Sequence, residues 1–229
     1  MLKELRRQVW EANLELVRSG LVVLTWGNVS GIDRRRGLVV IKPSGIDYGD
    51  LTPERLVVLD LDGKVVEGKL KPSCDAPTHL VLYRAFKEID GVTHTHSVHA
   101  VAFAQACREI PCLGTTHADH FHGSVPVARA LTKREVATDY VGNTGKVIVE
   151  RFRGMDPLEM PAVLVSHHGP FTWGRDAMDS VKNNIALETV AQMALATRCL
   201  NSRITSIPAH ILNKHYLRKH GPNATYGQT

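Results

Sequence analysis

Residues 56–67 read Leu56-Val57-Val58-Leu59-Asp60-Leu61-Asp62-Gly63-Lys64-Val65-Val66-Glu67. Two runs rich in valine and leucine flank Asp62-Gly63, and Asp-Gly between such runs marks a tight hairpin, because the turn needs positive φ at its centre. The segment therefore predicts two paired strands, 56–61 and 64–67. Upstream, Leu2, Leu5, Val9, Ala12 and Leu16 recur at helical spacing and Gly20 supplies a stop, which predicts an opening amphipathic helix. Between that helix and the hairpin, 21–29 and 37–42 read as strands. Downstream, Pro77 suits the first turn of a helix ending near 86. Segment 92–96 reads as a strand, 100–107 as a helix and 110–115 as a strand. Thr132 with Glu135 three residues on has the capping-box pattern. Segments 146–152 and 162–166 read as strands, 177–199 as a long amphipathic helix and 209–219 as a last helix after Pro208. No repeat, low-complexity stretch or linker divides this series, so the expectation is one α/β domain over 1–229 with a mixed sheet.

Composition narrows the class. The chain has 229 residues, 43% hydrophobic and 22% charged, enough for one large core and unlike a disordered chain. Its apolar runs fall far short of the roughly 20 residues of a membrane span. The charged start Met1-Leu2-Lys3-Glu4-Leu5-Arg6-Arg7-Gln8 leads into no secretory-type apolar region. Cys74, Cys107, Cys112 and Cys199 form neither a CxxC pair nor a disulfide framework. These features predict a cytoplasmic protein with no membrane partner. A net charge of +5, without a basic block interleaved with aromatics, argues against nucleic acid and suits a small anionic substrate.

The 12 histidines matter through their placement. In Thr93-His94-Thr95-His96-Ser97-Val98-His99, His94 and His96 would share one face of a strand and could close on a single ion. The alternative is a surface strand that happens to carry histidines. Ser166-His167-His168-Gly169 follows a buried-type strand and offers a third nitrogen from His167 or His168. Three histidines with an open position are the pattern of a catalytic metal site, whereas structural sites fill all four positions.

Lys71-Pro72-Ser73-Cys74-Asp75-Ala76-Pro77-Thr78-His79 sets small donors before a helix start, where backbone N–H groups attract anions. Loop 25–30 and Lys42-Pro43-Ser44-Gly45 could complete a phosphate cradle, with Lys42 adding positive charge. Taken singly, each is an ordinary turn. Asp119, within Thr115-Thr116-His117-Ala118-Asp119-His120-Phe121-His122-Gly123, reads either as an acid/base group or as a turn cap. The basic tail ends near Tyr226, to which composition alone gives no role.

Leu24-Thr25-Trp26-Gly27-Asn28-Val29-Ser30, Ile41-Lys42-Pro43-Ser44-Gly45, His94-Thr95-His96-Ser97, Gly114-Thr115-Thr116-His117-Ala118-Asp119, His168-Gly169-Pro170-Phe171 and Lys214-His215-Tyr216-Leu217-Arg218-Lys219-His220-Gly221 occur in collinear order along nearly the whole chain. Together they resemble the L-ribulose-5-phosphate 4-epimerases of the class II aldolase/epimerase superfamily. The resemblance implies a central mixed, mostly antiparallel sheet flanked by helices. It also implies a divalent metal, usually zinc, on His94, His96 and His168, with Asp75 as the acidic residue at that site; His168 is preferred to His167 because it directly precedes Gly169. The phosphate pocket would comprise Gly27, Asn28, Lys42, Ser44, Gly45, Ser73 and Cys74. Family members usually carry serine where this chain has Cys74, and a thiol is a weaker donor.

The implied reaction breaks and remakes the C3–C4 bond of a pentulose phosphate, since C4 bears no acidic proton. Asp119 and Tyr226 would be the acid/base pair with His215 assisting, the tyrosine coming from a neighbouring subunit of a four-fold homotetramer. Two rival readings stand beside it: an aldolase that releases its fragments, and a basic nucleic-acid or metal-binding protein without catalysis.

Overall fold

The computed structural model describes residues 2–225. Along Val57–Asp60, here β3, successive side chains enter different cores: Val57 and Leu59 join one buried cluster while Val58 joins another. The neighbouring β2 (Leu38–Ile41) does the same, with Val39 and Ile41 on one face and Val40 on the other. A sheet covered on both faces explains why these strands read as continuous apolar runs. Each such side chain removed from water contributes about 1.5–3 kcal/mol.

The sheet has eight strands in the order β4-β3-β2-β1-β5-β8-β7-β6, where β1 is Asn28–Asp33, β4 Val65–Glu67, β5 Gly91–His94, β6 Val127–Ala128, β7 Ala162–Val165 and β8 Pro170–Gly174. Every pairing is antiparallel except β6 with β7. The expected α/β fold with a mixed, mostly antiparallel sheet is therefore found. The smaller core lies under α1 (Lys3–Arg18), which lays Val9, Ala12 and Leu16 against Val29, Val40 and Val58. The larger one packs α2 (Ala76–Ala85), α3 (Val98–Gln105), α5 (Lys133–Arg151) and α6 (Ala177–Leu200) around the fully buried Trp173. Two further helices, α4 (Thr115–Ala118) and α7 (Ala209–His220), pack on one another. No helix among the described residues is long and apolar enough to cross a membrane.

Four sequence expectations are corrected. Segment 21–29 is not one strand: the Leu21 N–H closes on Leu16 O, Leu24 adopts φ +54°, and β1 starts only at Asn28. The apolar run misled because Val23 and Leu24 are exposed, not core. Segment 146–152 is the second half of α5; Val147 and Ile148 are buried, and a short apolar run has the same appearance in a buried helix and a buried strand. Segment 110–115 contributes a single bridge, Ile110 to Val125, before α4 begins. Strand 92–96 ends at His94. The hairpin, the capping box at Thr132 and the helices α1, α2, α3, α6 and α7 stand as expected.

Candidate active site

Register brings the first functional side chains together. Asn28, the first residue of β1, pairs with His94, the last of β5, and His94 pairs on its other side with Phe171 of β8. The buried His94 ring stacks on Phe171 at 4.2 Å and donates from Nδ1 to Pro170 O at 2.8 Å. That bond leaves Nε2 with a free electron pair. Beyond the strand the chain turns, anchored by Thr95 Oγ1 donating to Asn184 Oδ1 at 2.9 Å, and brings His96 Nε2 to 3.1 Å from His94 Nε2. The two rings converge because the chain leaves the sheet at His94, not because both lie on one strand face.

His168 arrives from the β7–β8 turn, where His167 takes φ +63° and the His168 N–H bonds Val165 O at 3.0 Å. Gly169 fits closely there: a Cβ would stand 3.0 Å from Thr95 O. The His168 ring centroid lies 4.8 Å from that of His94 and 5.3 Å from that of His96. One ligand atom from each of the three lies within 4.8 Å of the others. His168 Nδ1 is buried without a partner, and burial with the neighbouring His94 and His96 pushes its pKa down to about 4. Burial, then His94, lowers His96 too. Three convergent imidazoles, one with an orphaned nitrogen, form a donor set that can hold a divalent metal ion. His167 is exposed and turns instead toward Cys107, with Nε2 3.4 Å from Sγ.

Asp75 is not in that group of three. Its Oδ2 accepts from Asn28 Nδ2 at 2.8 Å and from Ser73 Oγ at 3.5 Å. Burial would raise its pKa, but His94, His79 and the Asn28 amide outweigh burial and hold it below the ordinary carboxylate value. Asp75 and the three histidines line a cleft of about 500 Å³ with Gly27, Asn28, Lys42, Ser44, Gly45, Ser73 and Cys74. All the expected metal and phosphate residues thus share one cavity.

The cradle loops are tied to each other: Ser44 N–H bonds Lys71 O and Ser73 N–H bonds Lys42 O, both at 3.0 Å. Lys42 is only 2% exposed, its Nζ 3.5 Å from Pro43 O and 4.7 Å from the centre of the Tyr48 ring. Burial lowers its pKa against the opposing pull of Asp47. An ammonium this weakly compensated favours an anionic ligand. The N-terminus of α2, which no side chain caps, begins beside it at Ala76.

Asp119 and His215 do not line this cleft. Asp119 follows α4 and accepts from three residues of α7: His215 Nδ1 at 3.0 Å, Arg218 Nη2 at 2.8 Å and, more distantly, Lys219 Nζ at 3.7 Å. Burial pulls its pKa up, but Arg218, His215 and Lys219 together hold it low. Tyr226 lies outside the described residues. Sequence reading missed Tyr140 and Val141, which line the cleft from a break within α5. Their one sequence signal was the pair of glycines, Gly142 and Gly145, in an otherwise helical segment.

A family model described as "Class II Aldolase and Adducin N-terminal domain" matches residues 7–195. Proteins described as L-ribulose-5-phosphate 4-epimerase UlaF from Salmonella paratyphi B and Salmonella typhi are each 53% identical over 227 residues, covering 99% of this chain and 100% of theirs. Among solved structures, an L-fuculose 1-phosphate aldolase superposes with a TM-score of 0.77 at 25% identity, over 93% of this chain and 94% of that one. The L-fuculose 1-phosphate aldolase from Glaciozyma antarctica PI12 shares the fold at a TM-score of 0.78 and 16% identity, over 97% and 84%.

Proposed function

The chain belongs to the class II aldolase and adducin N-terminal domain family, and from that membership and its full-length relatives we infer that it is an L-ribulose-5-phosphate 4-epimerase. It interconverts L-ribulose 5-phosphate and D-xylulose 5-phosphate by inverting C4 through retro-aldol cleavage and re-addition. The observation that carries this reading is one cleft in which three convergent imidazoles stand beside a buried lysine, so that a cation site and an anion site face one substrate. The whole chain, 1–229, acts as one such domain.

Lys42, Ser44, Gly45, Ser73, Cys74 and the loop at Gly27 and Asn28 bind the substrate phosphate. The backbone N–H of Cys74 serves where its thiol is a poor donor. His94, His96 and His168, with Asp75 beside them, would hold zinc or another divalent metal. When bound, that ion supplies Lewis-acid stabilisation of the negative charge that builds on the C2 and C3 oxygens. The phosphate anchor holds the two-carbon aldehyde while it turns its other face to the enediolate, so no fragment leaves.

Asp119 and Tyr226 move the proton of the C4 oxygen on opposite faces, and His215 supports Asp119. Because Asp119 and His215 stand outside the cleft of their own chain, the assembly we infer is a homotetramer in which they and Tyr226 complete a neighbour's site. The place of action is the cytoplasm, in catabolism of arabinose-type pentoses, since a phosphorylated sugar does not cross a bilayer and is made and used in one compartment.

The test is a chelator-sensitive assay on L-ribulose 5-phosphate with product stereochemistry read by NMR. D-Xylulose 5-phosphate without net cleavage supports the reading. The likeness to L-fuculose 1-phosphate aldolase favours a second reading, aldol cleavage of a related phosphosugar. Net release of dihydroxyacetone phosphate and an aldehyde from a ketose 1-phosphate, with no epimerisation of L-ribulose 5-phosphate, would establish that one instead.

A further inference from the structure

Helix α5 is not continuous. Asp139 has φ −160° and ψ 80°, outside helical geometry, and the chain around it is built to hold that break. Asp139 Oδ1 accepts from Gly142 N–H at 3.0 Å, capping the second half of the helix. Side-chain donors bind backbone carbonyls on both sides of the break. Asn143 Nδ2 bonds Glu135 O at 2.9 Å, Thr144 Oγ1 bonds Tyr140 O at 2.9 Å, and Thr78 Oγ1 of α2 bonds Val141 O at 2.7 Å. Gly145 lets the second half lie directly on α2, since a Cβ there would stand 2.7 Å from Val81 Cβ. The break is specified by side chains: Asp139 caps the Gly142 N–H and Asn143 takes up the Glu135 carbonyl, while Thr78 and Thr144 brace the turn that follows.

Its effect is to set Tyr140 into the cleft. The Tyr140 ring lies 6.2 Å from the His168 ring, tilted by 34°, and the residue is 44% exposed. It thus stands beside the imidazole cluster of the cleft. The two products of C3–C4 cleavage differ in how they are held. Glycolaldehyde phosphate carries a phosphate for Lys42 and its loops to grip. The C1–C3 fragment carries no such handle.

Resting on the epimerase reading above, we propose that Tyr140 determines reaction specificity: its ring walls the C1–C3 fragment against water, so that cleavage is followed by re-addition. In the cleavage step the C4 hydroxyl gives its proton to the Asp119 and Tyr226 acid/base pair, the C3–C4 electron pair stays with C3 as the enediolate, and C4 becomes the aldehyde. If a water proton reaches C3, the fragment becomes dihydroxyacetone and the reaction ends in two products.

The experiment uses metal-loaded wild type, Tyr140→Ala and Tyr140→Phe. NMR counts D-xylulose 5-phosphate against dihydroxyacetone plus glycolaldehyde phosphate, and calorimetry measures binding of glycolohydroxamate, an enediolate analogue, and of inorganic phosphate. Tyr140→Ala should raise the cleaved-to-epimerised ratio and weaken glycolohydroxamate by about tenfold each, leaving metal content and phosphate affinity unchanged. Tyr140→Phe, which keeps the ring, should restore the wild-type ratio. An alanine variant with wild-type partition and wild-type glycolohydroxamate affinity overturns the inference alone. A wild type that never epimerises L-ribulose 5-phosphate overturns the functional reading and this inference with it.

Discussion

His215 Nδ1 donates to Asp119 Oδ1 at 3.0 Å, joining the last described helix to a residue 96 positions earlier. The contact gives the basic tail a fixed place, because Arg218 and Lys219 of the same helix bind the same carboxylate. Asp119 thus both anchors α7 and orients His215. Asp119→Asn should lower kcat by about 100-fold or more while metal content stays at the wild-type level. Wild-type kcat in that variant would remove Asp119 from the chemistry.

The same carboxylate predicts an acid limit. Its pKa is held low in the folded state, so its contribution to stability is fully present above the ordinary aspartate value of about 3.9 and is lost as pH falls through the lower folded value. Acid unfolding followed by circular dichroism should therefore be shifted to higher pH by Asp119→Asn at the α7 contact. Superimposable acid transitions for the two proteins would count against the anchor.

His96 is exposed where the chain leaves β5, so its side chain is little used by the core. His96→Ala should keep the wild-type melting temperature of the metal-free protein but bind metal at least about 100-fold more weakly. Metal content after dialysis and turnover should fall together. Full activity without metal would sink the site assignment.

Lys42 sets fold stability against binding. Its pKa is lowered by burial, so the unfolded chain holds that proton more tightly. Stability should rise as pH climbs from the folded value toward the ordinary lysine value of about 10.4. Lys42→Met should accordingly stabilise the protein at pH 7 by about 1 kcal/mol or more while weakening phosphate about 10- to 100-fold. Calorimetric unfolding and phosphate titration check the two halves separately.

Tyr226→Phe removes one hydroxyl from the end of the chain. Metal and phosphate binding should be unchanged and epimerisation slower by about 100-fold or more. An unaltered rate would leave the tyrosine without a role.

Chemistry was more legible than geometry in this sequence. His94, His96 and His168 declared themselves by residue type and spacing, and Lys42 and Ser73 by the small residues around them. Tyr140 did not, because the helix break is set jointly by Asp139, Asn143, Thr144 and Thr78, the last of them on another helix. Segment 146–152 was misread for a related reason: Val147 and Ile148 carry an apolar run whose length suits either a strand or a buried helix.

By itself the sequence determined which side chains could do the work, the continuous apolar runs of β2 and β3, and the approximate ends of most helices. Those are local properties of side-chain chemistry and period. Only the tertiary structure decided that Asn28, His94 and Phe171 lie abreast, that the cradle loops and three imidazoles open on one cleft, and that Asp119 and His215 stand apart from it. Strand register and the packing of α2 on α5 fix these distances. Both arise from contacts between residues far apart in the chain, which no local pattern encodes.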